Sequence, residues 1–237
     1  MKWMCFFGIL LLYSCGSMIA ESELNSPKIA INPEDDLLQI AQELEKKSSL
    51  HSIAIVNWDK FNYVPKVSFR MGHDNENIYL KFYVSENHIL AKHSTPNSST
   101  HQDSCVEFFI DPDQSGQYYN FEFNCIGTTH LAYGPDRYNR TFIDKDKILD
   151  QSKITSTLGA LPFEEKSGQF NWEMTVKLPS SIFVYHPDLK FSGLKSKANF
   201  YKCADATQTP HYLSWSVVES ENPDFHRPEF FGFLNFE

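Results

Sequence analysis

Between Asp103 and Asn124 the chain alternates apolar and polar side chains twice, on either side of the turn-rich stretch Pro112-Asp-Gln-Ser-Gly-Gln117. Strand side chains point alternately to two faces. Val106, Phe108 and Ile110 therefore share one face, and Asp103, Cys105, Glu107, Phe109 and Asp111 the other. In the second segment Tyr119, Phe121 and Phe123 oppose Asn120, Glu122 and Asn124. The pattern predicts a hairpin with an aromatic face for a core and a second face of hydrogen-bonding groups. A hairpin on this turn pairs positions whose numbers sum to about 229, and only an odd sum brings the apolar faces together. Glu107 then stands opposite Glu122 or one pair away. Like charges at that distance destabilise, so the pair calls for a cation, a shared proton or hydrogen-bond donors, unless the face is solvated and water screens it.

The same reading extends along the chain. Strands are expected over 52–58, 66–71, 78–85, 130–133, 153–158, 171–178, 199–203 and 212–218, which makes the fold all-β, an antiparallel, jelly-roll-like β-sandwich. A short N-terminal helix precedes them, with Asn32 as its cap, Pro33 at its first position and an apolar stripe of Leu37, Leu38, Ile40, Ala41 and Leu44. A second hairpin turns at 72–77 and carries Arg70, Tyr79, Lys81 and Tyr83 on its polar face. If the two hairpins are neighbours, Arg70 or Lys81 neutralises Glu107 and Glu122.

The first residues read as an address. Lys2, an apolar run over 4–12 and Leu12-Tyr-Ser-Cys15 resemble a bacterial lipobox, with Cys15 as the acylated residue; a cut after Ala20 is the rival. The expected organisation is a signal segment at 1–14, a tether at 15–33 and one domain at 34–237. The protein is expected in the cell envelope, on the outer membrane or cell surface by its lipid, or secreted or periplasmic without it. Cys105, Cys125 and Cys203 form an odd set, and Cys105 and Cys125 point to opposite sheet faces, so no disulfide framework is expected. A net charge of −9 without a basic cluster argues against nucleic-acid binding.

Little in the sequence points to catalysis. It has no Gly-x-Ser-x-Gly elbow and no phosphate-binding glycine loop. It also lacks Cys/His zinc spacing, so no metal ligands are assigned. Asp111, Asp113, Asp136, Asp144 and Asp146 make oxygen-rich loops that suit calcium or simple turns. Glu107 and Glu122 have the residue types of a glycosidase pair. Sugar binding asks instead for flat aromatics with amide, carboxylate and guanidinium groups. The candidates are Trp58, Arg70, Glu107, Asn120, Glu122, Asn124, Tyr133, Trp215 and His226, with Tyr138 a further aromatic and Trp172 placed in the core by its apolar register.

The hairpin and three C-terminal segments carry a resemblance. Ala198-Asn-Phe-Tyr-Lys-Cys-Ala-Asp205, Pro210-His-Tyr-Leu-Ser-Trp-Ser216 and Pro223-Asp-Phe-His-Arg-Pro-Glu-Phe-Phe-Gly-Phe-Leu-Asn-Phe236, with Asp103 to Pro112 and Tyr119 to Asn124, resemble the carbohydrate-binding module family 9-like domains of exported bacterial proteins. The resemblance implies a β-sandwich that binds glycans without cleaving them, and calcium as a structural ion. Glu107, Glu122 and Asn124 fall on its recurrent positions, and Trp215 and His226 on its Ser-Trp and Phe-His-x-Pro patterns. The expected ligand is a carbohydrate, with glycosidases or transport proteins as partners; the alternatives are a glycoside-active enzyme and a structural or assembly lipoprotein.

Overall fold

The computed structural model describes residues 22–32 and 35–237. Cys15, the signal segment and Pro33 lie outside the described residues. The elements in chain order are β1 (Glu23–Ser26), α1 (Leu37–Lys47), β2 (His51–Ser52), β3 (Ile55–Val56), β4 (Lys66–His73), β5 (Asn77–Ala91), β6 (Cys105–Asp111), β7 (Tyr118–Asn124), β8 (Thr129–Gly134), β9 (Thr141–Phe142), α2 (Lys145–Gln151), β10 (Lys153–Ser156), β11 (Phe163–Pro179), β12 (Lys195–Cys203), β13 (Tyr212–Ser214) and β14 (Gly232–Phe236).

They form two sheets. The larger runs β1-β14-β12-β6-β7-β8-β9, with β13 on β12 and β3 on β13; the smaller runs β10-β11-β5-β4-β2. Only β1 with β14 is parallel among these strand pairs. The β-sandwich expected from alternation is the architecture found. Phe69 of β4, Phe82 of β5, Phe108 of β6, Phe121 of β7 and Phe200 of β12 meet between the sheets with Trp172 and are wholly buried or nearly so. The Phe69 and Phe200 rings stack across the interface at 3.8 Å between centroids.

Four expectations are corrected. Residues 22–29 do not hang free as a tether: β1 adds a strand to the larger sheet, and Leu24 and Ile29 are buried. Asp36, not Asn32, caps α1, its carboxylate accepting from the Leu38 and Gln39 amides while the Gln39 side chain returns a bond to the Asp36 amide. The run 52–58 is not one strand. It crosses between sheets, Ser52 pairing with β4 and Ile55–Val56 with β13. Likewise, 212–218 leaves the ladder after Ser214.

That departure shapes the molecule. The chain beyond β13 folds back over the outer face of the larger sheet, where Trp58, Cys105, Phe109, Tyr118, Tyr201, Cys203, Val218, Phe225 and Phe231 build a second apolar layer. Every residue of β6 and β7 is consequently buried, polar face included. On the outer face of the smaller sheet, α1 seats Ile40 and Leu44 against Tyr79.

Candidate functional site

Strands β6 and β7 pair as parity requires, with Glu107 directly opposite Glu122. Both carboxylates lie on the covered face, 2% and 3% exposed, so water does not screen them. They form the floor of a cavity of about 110 Å³. Its walls come from His101, from Arg137 and Arg140 in the loop after β8, from Cys203 and Asp205 at the end of β12, from Tyr212 of β13, and from Pro223, Phe225 and His226 in the covering segment.

The two glutamates are compensated differently. Glu122 accepts from the Thr100 hydroxyl at 3.1 Å and the Asn120 amide at 2.9 Å. Arg140 Nη1, His101 Nδ1 and His130 Nε2 stand 3.7, 3.8 and 3.9 Å from its oxygens. Glu107 accepts from the Cys203 thiol at 3.1 Å. Burial, then the Glu122 charge opposite, raises the Glu107 carboxyl well above the usual carboxylate range, so it keeps its proton. Burial also raises Asp205.

The cations are held in place too. Arg137 pairs with Asp224 at 3.1 Å. Arg140 Nη1 lies 3.3 Å from His226 Nε2, and His226 Nδ1 lies 2.8 Å from the Tyr118 hydroxyl. A guanidinium has no acceptor, so Nε2 accepts and Nδ1 carries the proton that goes to Tyr118. This is the neutral imidazole. Burial foremost, then Arg140, pushes His226 down to about 2.

Of the residues singled out from sequence, Glu107, Glu122 and His226 meet at this cavity, and Asn120 supports Glu122 from behind. The others lie elsewhere. Arg70 belongs to β4 in the opposite sheet and donates to the Ser48 carbonyl, while Lys81 is paired with Glu45 and Glu173. Neither neutralises the glutamates, because the two hairpins are in different sheets. Trp58 is buried behind Tyr212 and Phe225 at 6.2 and 6.0 Å, its indole donating to the Ser220 carbonyl at 2.8 Å. Trp215 packs edge-on against Phe200 in the main core. Tyr133 pairs with Tyr119 on the inner face and stacks on Tyr185 at 4.5 Å. Asn124 bonds Asp103 and the His93 carbonyl, fastening the preceding loop. Tyr138 is 88% exposed, between the two arginines in sequence. Trp172 is buried as expected. Asp111, Asp136 and Asp144 accept backbone amides of their own turns and of the α2 cap.

Arg137, Arg140, His101 and Asp205 escaped the sequence reading. Alternation orders residues within a strand, and these sit on loops or, for His101, on a single helical turn over Thr100–Gln102. The one signal was Asp205 at the end of the Tyr-Lys-Cys-Ala-Asp run.

A two-sheet sandwich with a charged cavity on one covered face, between strands and returning loops, places the chain among the β-sandwich modules. The family model for Carbohydrate-binding family 9 matches residues 37–236, and the chain belongs to that family. A crystal structure from Bacteroides uniformis ATCC 8492, of a protein for which carbohydrate binding has been suggested, is similar over 92% of this chain and 100% of its own, at 36% identity and a TM-score of 0.88. A family 9 carbohydrate-binding module from Caldicellulosiruptor kristjanssonii in complex with glucose shares the fold at 14% identity and a TM-score of 0.57, over 91% of this chain and 96% of its own. The same kind of module from that organism with cellotriose gives 12% and 0.56, over 91% and 94%. No curated protein matches the sequence.

Proposed function

We propose that this chain binds a glycan without cleaving it, as an exported protein anchored by a lipid on Cys15, and that the sugar enters the Glu107–Glu122 cavity. The observation that carries the reading is the convergence there of fixed donors and acceptors of both signs beside the aromatic walls of Tyr212 and Phe225. A polyol needs that mixture, because each hydroxyl both donates and accepts. In this reading Glu107, Glu122, His226, Arg137, Arg140, Asp205 and His101 face the sugar, and Asn120 and Trp58 hold them in position. Arg70, Asn124, Tyr133 and Trp215 support the sandwich.

Binding is favoured over hydrolysis by the state of the carboxylates. Both Glu122 oxygens accept hydrogen bonds and Glu107 is held by Cys203, so neither is a free nucleophile. The family relatives with glucose and cellotriose make these two the first ligands to try. Calorimetric titration with them and with a glycan panel, calcium present, is expected to show binding that Glu122→Gln weakens by about tenfold or more, as loss of a charged hydrogen-bond acceptor does. Failure to bind any glycan, or undiminished binding by the variant, overturns the proposal. Mass spectrometry of the N-terminal peptide from membranes tests the lipid on Cys15.

A further inference from the structure

Cys105 and Cys203 face each other across β6 and β12, directly paired in register, and Glu107 follows on the same face two residues along β6. One donor atom from each of the three lies within 4.8 Å of the others. Cys203 Sγ is 3.1 Å from Glu107 Oε1. Tetrahedral zinc with sulfur at about 2.3 Å and oxygen at about 2.0 Å sets its donor atoms about 3.5–3.8 Å apart. Small side-chain movements thus bring the three atoms to ligand geometry.

We propose that Cys105, Cys203 and Glu107 form a site for one zinc-class divalent ion at the inner end of the cavity. Two thiolates and a carboxylate suit a borderline-soft metal and not calcium or magnesium. Glu107 and Cys203 line the cavity, which gives the ion an entry route and leaves a fourth position open to it. Phe109 and Tyr201 belong to the same buried apolar cluster as the two cysteines. No side-chain cation competes for the position: Glu122 has three cationic or imidazole neighbours, whereas Glu107 makes no ion pair among the described residues. Entry of the ion releases the protons of both thiols and of the carboxyl, so no electrons move and no oxidant is required. The ligands come from two strands far apart in sequence, which is why a search for close Cys/His spacing passes over them. The inference is independent of whether a sugar binds.

Cobalt(II) titration of the reduced chain is the test, followed by displacement with zinc. One cobalt per chain with a thiolate-to-metal charge-transfer band is expected, lost in Cys203→Ser and retained in Cys125→Ser, since Cys125 faces the main core. Glu107→Gln keeps the side-chain shape and covers the case in which Cys203→Ser does not fold. Zinc is expected to raise the melting temperature of the wild type and of Cys125→Ser and to leave Glu107→Gln unmoved. Absence of the band, its persistence in Cys203→Ser, or an equal melting shift in Glu107→Gln overturns the proposal.

Discussion

Glu122 shows how a buried carboxylate is kept at a cavity floor. A single cation 3.7 Å away at Arg140 is a weak restraint by itself, and the short contacts are the neutral donors Asn120 and Thr100. Removing one leaves a buried oxygen short of a partner, which costs about 1–3 kcal/mol. Asn120→Ala is therefore expected to lower unfolding free energy by that amount in urea titration; an unchanged midpoint would mean that solvent replaces the amide. Two of the buried histidines, His211 and His226, set most of the pH dependence. Burial pushes His211 and His226 down to about 2, whereas in the unfolded chain both titrate near their ordinary value of 6.5. The unfolded state thus binds more protons below that value, and stability falls with acid. The slope is about 1.4 kcal/mol per pH unit for each histidine. Urea midpoints measured from pH 7 to pH 4 are expected to drop, the protonated Glu107 offsetting part of the fall down to the ordinary carboxyl value of 4.5, and His211→Gln is expected to flatten the curve.

At the scale of elements, legibility followed the range of the force that fixes each one. The β6–β7 hairpin was readable to within one pair of the Glu107–Glu122 register, because parity is a local property of a strand. Only the second half of β11 was readable. Its first half, Phe163 to Phe170, is largely exposed and broken by two register shifts against β5, so no apolar alternation marks it. The covering of β6 and β7 was invisible for a different reason: the chain that buries their polar face arrives from beyond β13. The arginine loop is a product of close packing. A Cβ on Gly134 would lie 2.4 Å from the Asn139 carbonyl oxygen and 2.6 Å from Arg140 Cα, both backbone atoms that cannot swing aside. Gly134→Ala is expected to push the loop outward, taking Arg137 and Arg140 from the cavity and weakening glycan binding together with stability. At Gly116 nothing lies within 4 Å of an added Cβ, and only its φ of +83° opposes a side chain. Gly116→Ala is therefore expected to cost about 1 kcal/mol and to leave binding intact. Equal loss of binding in both variants would show that the arginine loop has no special part in the site.

Across the whole molecule the sheets are joined by more than aromatic contact. Lys202 of β12 reaches Glu86 of β5 at 2.9 Å, with neither side chain exposed at all, and the Trp172 indole donates to the same carboxylate at 2.8 Å. Lys202 also donates to the Cys203 carbonyl at 2.9 Å, next to the thiol at the cavity. Such a pair adds little net stability over apolar residues, but each charge depends on the other. Lys202→Met strands the Glu86 carboxylate in the interior and is expected to cost about 3–5 kcal/mol. Adding Glu86→Gln removes the stranded charge while keeping an acceptor for the indole, so the double variant is expected to be more stable than Lys202→Met alone. Urea unfolding of both single variants, the double and the wild type closes a cycle that isolates the coupling. Strictly additive losses would mean that the ion pair does not couple the sheets and that the stacked Phe69, Phe108 and Phe200 rings hold the sandwich without it.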